Sequence, residues 1–231
     1  MTRRKHRPAT APPAAALGLR AHSGWAALVA VAGTAGDMTV LDRRRIELGD
    51  PGVPGPKQPY HRAEGQPLPK ARRIVDGYAE DARRRALESL GQAVAELQDR
   101  GFEPSGCALL TAALRPLPDL GAILASHALI HAADGALFRD ALALAAGEIG
   151  LTLVAIPERE LSARAQKILG RPASEIARRI GQAGKALGPP WTQDQKLAAL
   201  AAWLVASASH RDLRALRAPL SGSPKGARPP T

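Results

Sequence analysis

The alternation of apolar and polar residues predicts three strands near the start of the chain. Two apolar runs, residues 16–20 and 25–32, are separated by a tight polar segment that contains Gly24, an arrangement typical of a β-hairpin. A third run, residues 38–48, carries apolar and charged side chains on the same parity, which indicates a strand with one solvated end. The sequence therefore predicts an antiparallel meander over residues 16–48.

Helical spacing begins after residues 49–70, a segment rich in proline and glycine that we expect to be an irregular loop. From Ile74 to Leu97 apolar residues recur at steps of three and four, which predicts an amphipathic helix. The apolar run 107–114 is expected to form a central strand, and residues 126–148 a second long helix. One strand is thus expected between two long helices.

The last third of the chain predicts one more strand, followed by helices. Residues 151–156 form a β-branched and leucine run between a glycine and a proline, as in a buried strand. Glu158 is expected in the first turn of the next helix. Further on, Thr192 and Gln195 stand at capping-box spacing, so Asp194 falls in the first turn of a final helix.

The order of these elements is three strands, a helix, a strand, a helix, a strand and further helices. It predicts an α/β domain with a mixed five-stranded sheet and helices on both faces, because right-handed crossovers place the connecting helices against the sheet. Residues 151–156 should run parallel to 107–114 and to the first strand. We expect one domain over residues 16–208, with mobile tails at 1–15 and 209–231, which lack periodicity.

Composition limits both the core and the partners. The chain has 231 residues with 45% apolar and 3% aromatic content, so Ala, Leu, Val and Ile must build the core. The net charge of +11 favours a polyanionic partner such as nucleic acid, although a coding sequence rich in G and C enriches Arg and Ala without any such role. No run reaches the roughly 18 apolar residues of a membrane span, so we expect a cytoplasmic protein without membrane contact.

The single cysteine, Cys107, adds to this picture. One cysteine excludes an internal disulfide and fits a reducing compartment. Because Cys107 lies inside an apolar run, it is predicted to be a buried small hydrophobe rather than a nucleophile.

The second long helix carries a pattern that suits metal binding. His127 and His131 are four residues apart and share one helix face, and Asp134 follows one turn later as a third ligand or as a partner that orients a ring. The helix lacks the Glu that marks the helices of zinc proteases. A polar, hydrogen-bonded helix face explains the same residues. Metal binding by His127, His131 and Asp134 is therefore one of two hypotheses.

The order of elements and several short motifs resemble a known superfamily. In chain order, the motifs are Gly18-Leu19-Arg20 before a Ser-Gly turn, Gly-Leu-x-Leu-Val before Pro157, Lys167-x-x-Gly170, a helix with Arg178 and Arg179, and an Ala-rich helix with an acidic start. Over residues 17–206 the chain resembles the RNase H-like fold and, within it, the RuvC-type Holliday-junction resolvases. The resemblance implies a RuvC-like mixed sheet and a nucleic-acid partner.

The resemblance also implies a two-metal active site, which this sequence does not carry in full. Members of that family hold two divalent cations, Mg²⁺ or Mn²⁺, with an Asp that ends the first strand, a Glu that ends the fourth, and Asp residues that open the last helix. Here Arg20 stands at the first place, the fourth strand, residues 108–113, offers no carboxylate, and Asp194 remains. Because several carboxylates must balance the charge of two ions, we expect the inherited site to be lost.

Three hypotheses for function follow. The first is a catalytically degenerate RuvC-like protein that binds nucleic acid, with a homodimer as one possible assembly. The second is a metal-dependent hydrolase or nuclease with a rebuilt site around His127, His131 and Asp134, for which Asp42 and Asp194 are further catalytic candidates. The third is a protein-interaction module. The phosphate contacts expected for the first are Arg20, Lys167, Arg171, Arg178, Arg179 and Lys185.

Overall fold

A computed structural model describes residues 13–53, 55–112, 116–209, 212, 213 and 216. Within these residues the strands are β1 (Ala14–His22), β2 (Trp25–Gly33), β3 (Met38–Glu47), β4 (Glu103–Thr111) and β5 (Thr152–Pro157). They form one sheet in the order β3-β2-β1-β4-β5. The β1–β2 and β2–β3 pairs are antiparallel, whereas β1–β4 and β4–β5 are parallel. The expected meander and the expected parallel pairing of the fifth strand are both confirmed.

Helices cover both faces of this sheet, which confirms the predicted fold class. The helices of the described part are α1 (Pro59–Ala63), α2 (Leu68–Asp99), α3 (Leu120–Leu124), α4 (His127–Glu148), α5 (Glu158–Leu169), α6 (Ala173–Leu187) and α7 (Gln193–Ser207). On one face, Leu17, Leu19 and Leu28 pack with α2 and α4. On the other face, Ala16 and Val29 pack with α5, α6 and α7, because successive strand residues point to opposite sides.

The helix α7 lies directly on β1. A Cβ atom built on Gly18 would stand 1.9 Å from the carbonyl oxygen of Ala198, so the backbone contact requires glycine. The start of α7 is fixed by the predicted capping box, in which the Thr192 hydroxyl accepts from the Gln195 amide at 3.4 Å and the Gln195 side chain accepts from the Thr192 amide at 2.9 Å. Together these contacts hold the first turn of α7 over the end of β1.

The predicted irregular loop over residues 49–70 is partly wrong. It contains the short helix α1, and α2 already begins at Leu68. Pro59 and Pro69 occupy first-turn positions, where the missing amide hydrogen is not needed and the fixed φ angle favours a helix. Proline-rich sequence here marks helix starts rather than the absence of helices.

Described residues outside the predicted limits of 16 and 208 also contact the sheet and its helices. β1 begins at Ala14, since Ala14 and Ala15 pair with β4. At the other end, Leu213 and the buried Leu216 pack on the α5–α7 face, because apolar residues three apart share one side of a helical turn. Residues 1–12 and 217–231, the greater part of the predicted tails, lie outside the described residues, as do residues 113–115 beyond β4.

Two further expectations concern burial and membranes. Cys107 is fully buried on β4, as predicted, and burial raises the pKa of its thiol to about 12. In the part of the chain that the structure describes, none of the helices has the length and apolar content needed to cross a bilayer.

Candidate functional site

Side chains from three elements meet where β1 and β5 end. Arg20 and His22 come from the end of β1, Glu158 is the first residue of α5 directly after β5, and Asp194 lies in the first turn of α7. Because parallel strands finish at the same sheet edge, these residues are close in space although they are far apart in sequence. We call Arg20, His22, Glu158 and Asp194 the strand-end cluster.

The strand-end cluster is an ion-pair network centred on one guanidinium. Arg20 Nε donates to Glu158 Oε2 at 3.0 Å and Arg20 Nη2 donates to Oε1 at 3.1 Å, so the pair is bidentate. Arg20 Nη1 donates to Asp194 Oδ1, and His22 Nε2 lies 2.9 Å from the same oxygen. Both carboxylates of the strand-end cluster therefore bind Arg20.

The cluster's electrostatics agree with this geometry. Hydrogen bonding by Glu158 raises the pKa of Arg20 above its ordinary value, against the opposing effect of burial. Burial raises the pKa of Asp194, but the hydrogen bonds and electrostatic attraction of His22 and Arg20 outweigh it, and the pKa of Asp194 lies below its ordinary value. Asp194 is consequently ionised at neutral pH and ion-paired within the protein.

A stacked aromatic residue fixes His22 in this network. The His22 ring lies parallel to the Trp25 ring, with centroids 4.3 Å apart and 10° between the planes. The guanidinium of Arg45 lies 3.9 Å from the centroid of Trp25 as a cation–π contact. His22 is thus oriented toward Asp194 by packing as well as by its hydrogen bond.

A second cluster lies on the α4 side of the sheet. His127 and His131 on α4 meet His61, which α1 brings to them, and we call these three residues the histidine cluster. The Nε2 atoms of His127 and His131 are 3.0 Å apart. The ring centroid of His61 lies 5.4 Å from that of His127 and 4.5 Å from that of His131. Among the described residues, this is the one group of three or more candidate ligands that could share a metal ion.

Asp134 contacts the histidine cluster through His61. Its buried carboxylate accepts from the Tyr60 amide at 2.7 Å and from His61 Nδ1 at 2.6 Å. Burial raises the pKa of Asp134, and the Tyr60 and His61 hydrogen bonds partly oppose that rise. Asp134 therefore orients the His61 ring, which was one of the two roles that the sequence allowed. His61, rather than Asp134, is the third residue of the group that could share a metal ion.

The remaining acidic candidate, Asp42, belongs to neither cluster. It accepts from Arg44 Nε at 2.6 Å, and Arg44 also binds Glu96 at the far end of α2. On β3, Asp42 forms an ion pair with Arg44 and lies outside both clusters. The predicted combination of Asp42 with the α4 residues is not found in the structure.

The six predicted phosphate contacts fall into two groups. Arg20, Arg171 and Arg179 are engaged inside the protein. Arg171 and Arg179 share Glu175 and donate to backbone carbonyls of the β2–β3 turn, at 3.0 Å for Arg171 with Ala35 and 2.9 Å for Arg179 with Gly36. The exposed residues are Lys167, Arg178 and Lys185. Of the predicted set, these three have cationic groups directed at solvent.

Charge is distributed unevenly along the chain. Residues 13–209 contain 23 Lys and Arg against 20 Asp and Glu, so this part carries a net charge of +3. The other eight net positive charges fall in residues 1–12 and 210–231. Many arginines of the domain are also paired, as Arg83, Arg84 and Arg85 are on α2. The strongly basic character of the sequence is therefore a property of its ends more than of its folded domain.

The sequence did not predict several of these contacts. His61 was assigned to no site and Glu158 only to the start of a helix, because the partners of His61 are 66 or more residues away and Arg20 is 138 residues from Glu158. Arg43 was also missed; its guanidinium donates to the carbonyls of Leu187, Gly188 and Pro189 at 2.9–3.3 Å after α6. For His61, the local signal in the sequence was Pro59, which marks the start of the short helix α1.

Comparison with known proteins finds likeness at the level of the fold. T. thermophilus RuvC in complex with Holliday junction substrate is 14% identical, with 83% of this chain and 91% of that chain covered and a TM-score of 0.48. A second Thermus thermophilus RuvC structure is also 14% identical, covers 82% and 92%, and has a TM-score of 0.47. The strand directions are those that the sequence predicted, and they rest on the sheet itself.

The likeness goes no further than the fold. No protein-family model and no curated protein matches the chain. At 14% identity, no residue role is carried over from RuvC, so the chemistry must be argued from the contacts of this chain.

Proposed function

We propose that the protein is a RuvC-like nucleic-acid-binding protein that does not cleave its partner by two-metal catalysis. The observation that supports the proposal is the pairing of Arg20 with both Glu158 and Asp194 at the strand-end cluster. A guanidinium at the centre of this edge occupies the region where metal-bound carboxylates would be required.

The residues of the strand-end cluster do not fit a pair of Mg²⁺ or Mn²⁺ ions. Two-metal phosphodiester cleavage needs several carboxylates, because they offset the ions' charge and hold both ions beside the reacting phosphate. Here there are two carboxylates, and both are ion-paired with Arg20. The β4 residue in register with Arg20 is Leu110, which is buried and offers no ligand. A metal ion would have to displace Arg20 from a bidentate, partly buried pair.

Nucleic-acid binding is supported by the distribution of basic residues. Lys167, Arg178 and Lys185 are exposed along α5 and α6, and the ends of the chain contribute eight net positive charges. Phosphate contacts of this kind position a polyanion without reading its sequence, so we expect little sequence preference. With three phosphate contacts, the affinity of the domain for nucleic acid should fall by about 40-fold between 50 and 200 mM salt. Six contacts would give a fall of about a thousandfold.

The test compares two triple variants of the full chain. We expect Lys167→Ala/Arg178→Ala/Lys185→Ala to weaken binding to a four-way DNA junction, a duplex and an RNA at 50 mM salt by about tenfold or more. Lys70→Ala/Arg72→Ala/Arg73→Ala is the matched control, because it removes three exposed cations from α2 on the opposite face of the sheet. Removal of residues 1–12 and 217–231 measures how much these terminal segments contribute to the affinity for nucleic acid.

Two results would contradict the proposal. One is the absence of measurable nucleic-acid binding by the full chain at 50 mM salt, which would favour a protein-interaction module. The other is an equal loss of affinity in the two triple variants, which would show that total charge, not the α5–α6 surface, determines binding. Sedimentation of the same preparation tests the expected homodimer.

A further inference from the structure

We propose that His61, His127 and His131 bind one divalent transition-metal ion, zinc foremost, and leave one coordination position open. This inference is independent of nucleic-acid binding and differs from the two-metal chemistry that the fold suggests. It rests on the histidine cluster's geometry, on the orientation of His61 and on the cavity beside His131.

The three rings are already close to a shared coordination sphere. Their candidate ligand nitrogens all lie within 4.8 Å of one another, and those of His127 and His131 are 3.0 Å apart. Two nitrogens bound to zinc at 2.0–2.1 Å stand about 3.3 Å apart in a tetrahedral site. Small ring rotations therefore bring the cluster to coordination distance. His127 and His131 are held for this by their spacing of four on α4.

Asp134 gives His61 the orientation that a metal ligand needs. Because the carboxylate accepts from Nδ1 at 2.6 Å, the second nitrogen, Nε2, carries the lone pair of the neutral ring. Asp134 is itself fixed by the Tyr60 amide at 2.7 Å. A carboxylate that holds the outer nitrogen of a ligating histidine is a frequent feature of zinc sites and increases metal affinity.

The donor set selects the kind of metal. Three imidazoles suit zinc and other late divalent transition metals, whereas Mg²⁺ prefers oxygen ligands. No arginine of the described residues bridges these rings in the way that Arg20 bridges the strand-end carboxylates.

The open position has room for water or an anion. Beside His131 and Asp134 lies a cavity of about 400 Å³, also lined by Ser23, Lys57 and Gln58. Three protein ligands with a vacant fourth position are the arrangement of catalytic rather than structural zinc. Lys57 at the cavity wall favours a negatively charged species there.

The experiment uses the untagged full chain, stripped with a chelator and titrated with Zn²⁺ and Co²⁺. We expect one Zn²⁺ per chain by calorimetry and a Co²⁺ absorption spectrum of low-symmetry, four- or five-coordinate type. His127→Gln and His131→Gln should each lower the Zn²⁺ affinity by at least about 100-fold, and Asp134→Asn by about 10–100-fold. His22→Gln is the matched control, since it removes a histidine outside the cluster and should leave both affinity and stoichiometry unchanged.

The proposal is overturned if the full chain binds no stoichiometric Zn²⁺, or if His127→Gln and His131→Gln bind it as tightly as the unmodified chain. His127 and His131 are exposed, so loss of binding in these variants is separable from unfolding. Circular dichroism and thermal melting of each variant verify that the fold is intact. Binding that persists in both variants and disappears in His22→Gln would also contradict it.

Discussion

The strand-end cluster and the histidine cluster lie at the same edge of the sheet, on opposite faces, and they differ in their electrostatics. The first gathers two carboxylates and pairs both with Arg20, so the oxygens that a metal ion would need already bind a guanidinium. The second gathers imidazoles whose lone pairs converge and whose outer contact is an ionisable carboxylate, Asp134. Polar residues at this edge therefore do not by themselves indicate a metal site. What matters is whether they are already paired with other groups of the protein.

The largest expected effect comes from disrupting the contact between α7 and β1, which holds the strand-end cluster together. Gly18→Leu should drive α7 away from β1, because a side chain would overlap the Ala198 carbonyl, and we expect a loss of at least about 4 kcal/mol in the free energy of unfolding. Denaturant unfolding measures it. Gly77→Ala on α2 is the control, since it has free space and should stabilise by about 0.5–1 kcal/mol. An unchanged stability of Gly18→Leu would contradict the packing.

A charge reversal at the centre of the strand-end cluster should convert it into a cation site. Arg20→Asp would place three carboxylates together with Glu158 and Asp194, so we expect a protein of lower stability whose melting temperature rises by about 5–10 °C with saturating Mn²⁺. The unmodified chain should show no such rise. Arg178→Asp makes the same charge change on exposed α6 and should not respond to Mn²⁺. If Arg20→Asp and the unmodified chain respond alike, the role given to Arg20 is wrong.

Acid should weaken the strand-end cluster through Asp194. Because the pKa of Asp194 is lowered in the folded protein, its contribution to stability is fully present above about pH 5 and is lost as the pH falls through the lowered folded value. Asp194→Asn should therefore lose less stability between pH 5 and pH 3 than the unmodified chain. Urea unfolding over that range provides the measurement, with the exposed Glu64→Gln as control. A parallel decline in all three proteins would contradict the assignment.

The smallest expected effect is in the chemical labelling of Cys107, whose rate measures how readily the core around β4 opens. Burial raises the pKa of its thiol to about 12, so almost no thiolate is present at pH 8 and labelling by a disulfide reagent should await unfolding. We expect rapid labelling in Gly18→Leu and none above background in His127→Gln. Fast labelling of the unmodified chain would show that the core opens more readily than the packing indicates.

The sequence predicts this fold well because its signals are local. The capping box at Thr192, the apolar run 151–156 and the helical periodicity of α2 each depend on neighbours within one element, and all were confirmed. The two clusters depend on contacts across the chain. His61 reaches Asp134 over 73 residues, and Arg20 reaches Glu158 over 138, so no spacing rule relates them.

The expected basic surface illustrates the same limit. The sequence predicts Arg171, Arg178 and Arg179 equally as phosphate contacts. In the structure, Arg171 and Arg179 bind Glu175 and the β2–β3 turn, whereas Arg178 stays exposed and contacts Gln182. Whether an arginine is available depends on which carbonyls and carboxylates the fold brings to it.

The most direct test of the central claim is a cleavage assay with four-way DNA junctions and RNA/DNA hybrids in Mg²⁺ or Mn²⁺. Because Arg20 is ion-paired with both Glu158 and Asp194, the account predicts that the full chain binds these substrates and releases no product above the level seen with Asp194→Asn. Metal-dependent cleavage that Asp194→Asn abolishes would contradict it.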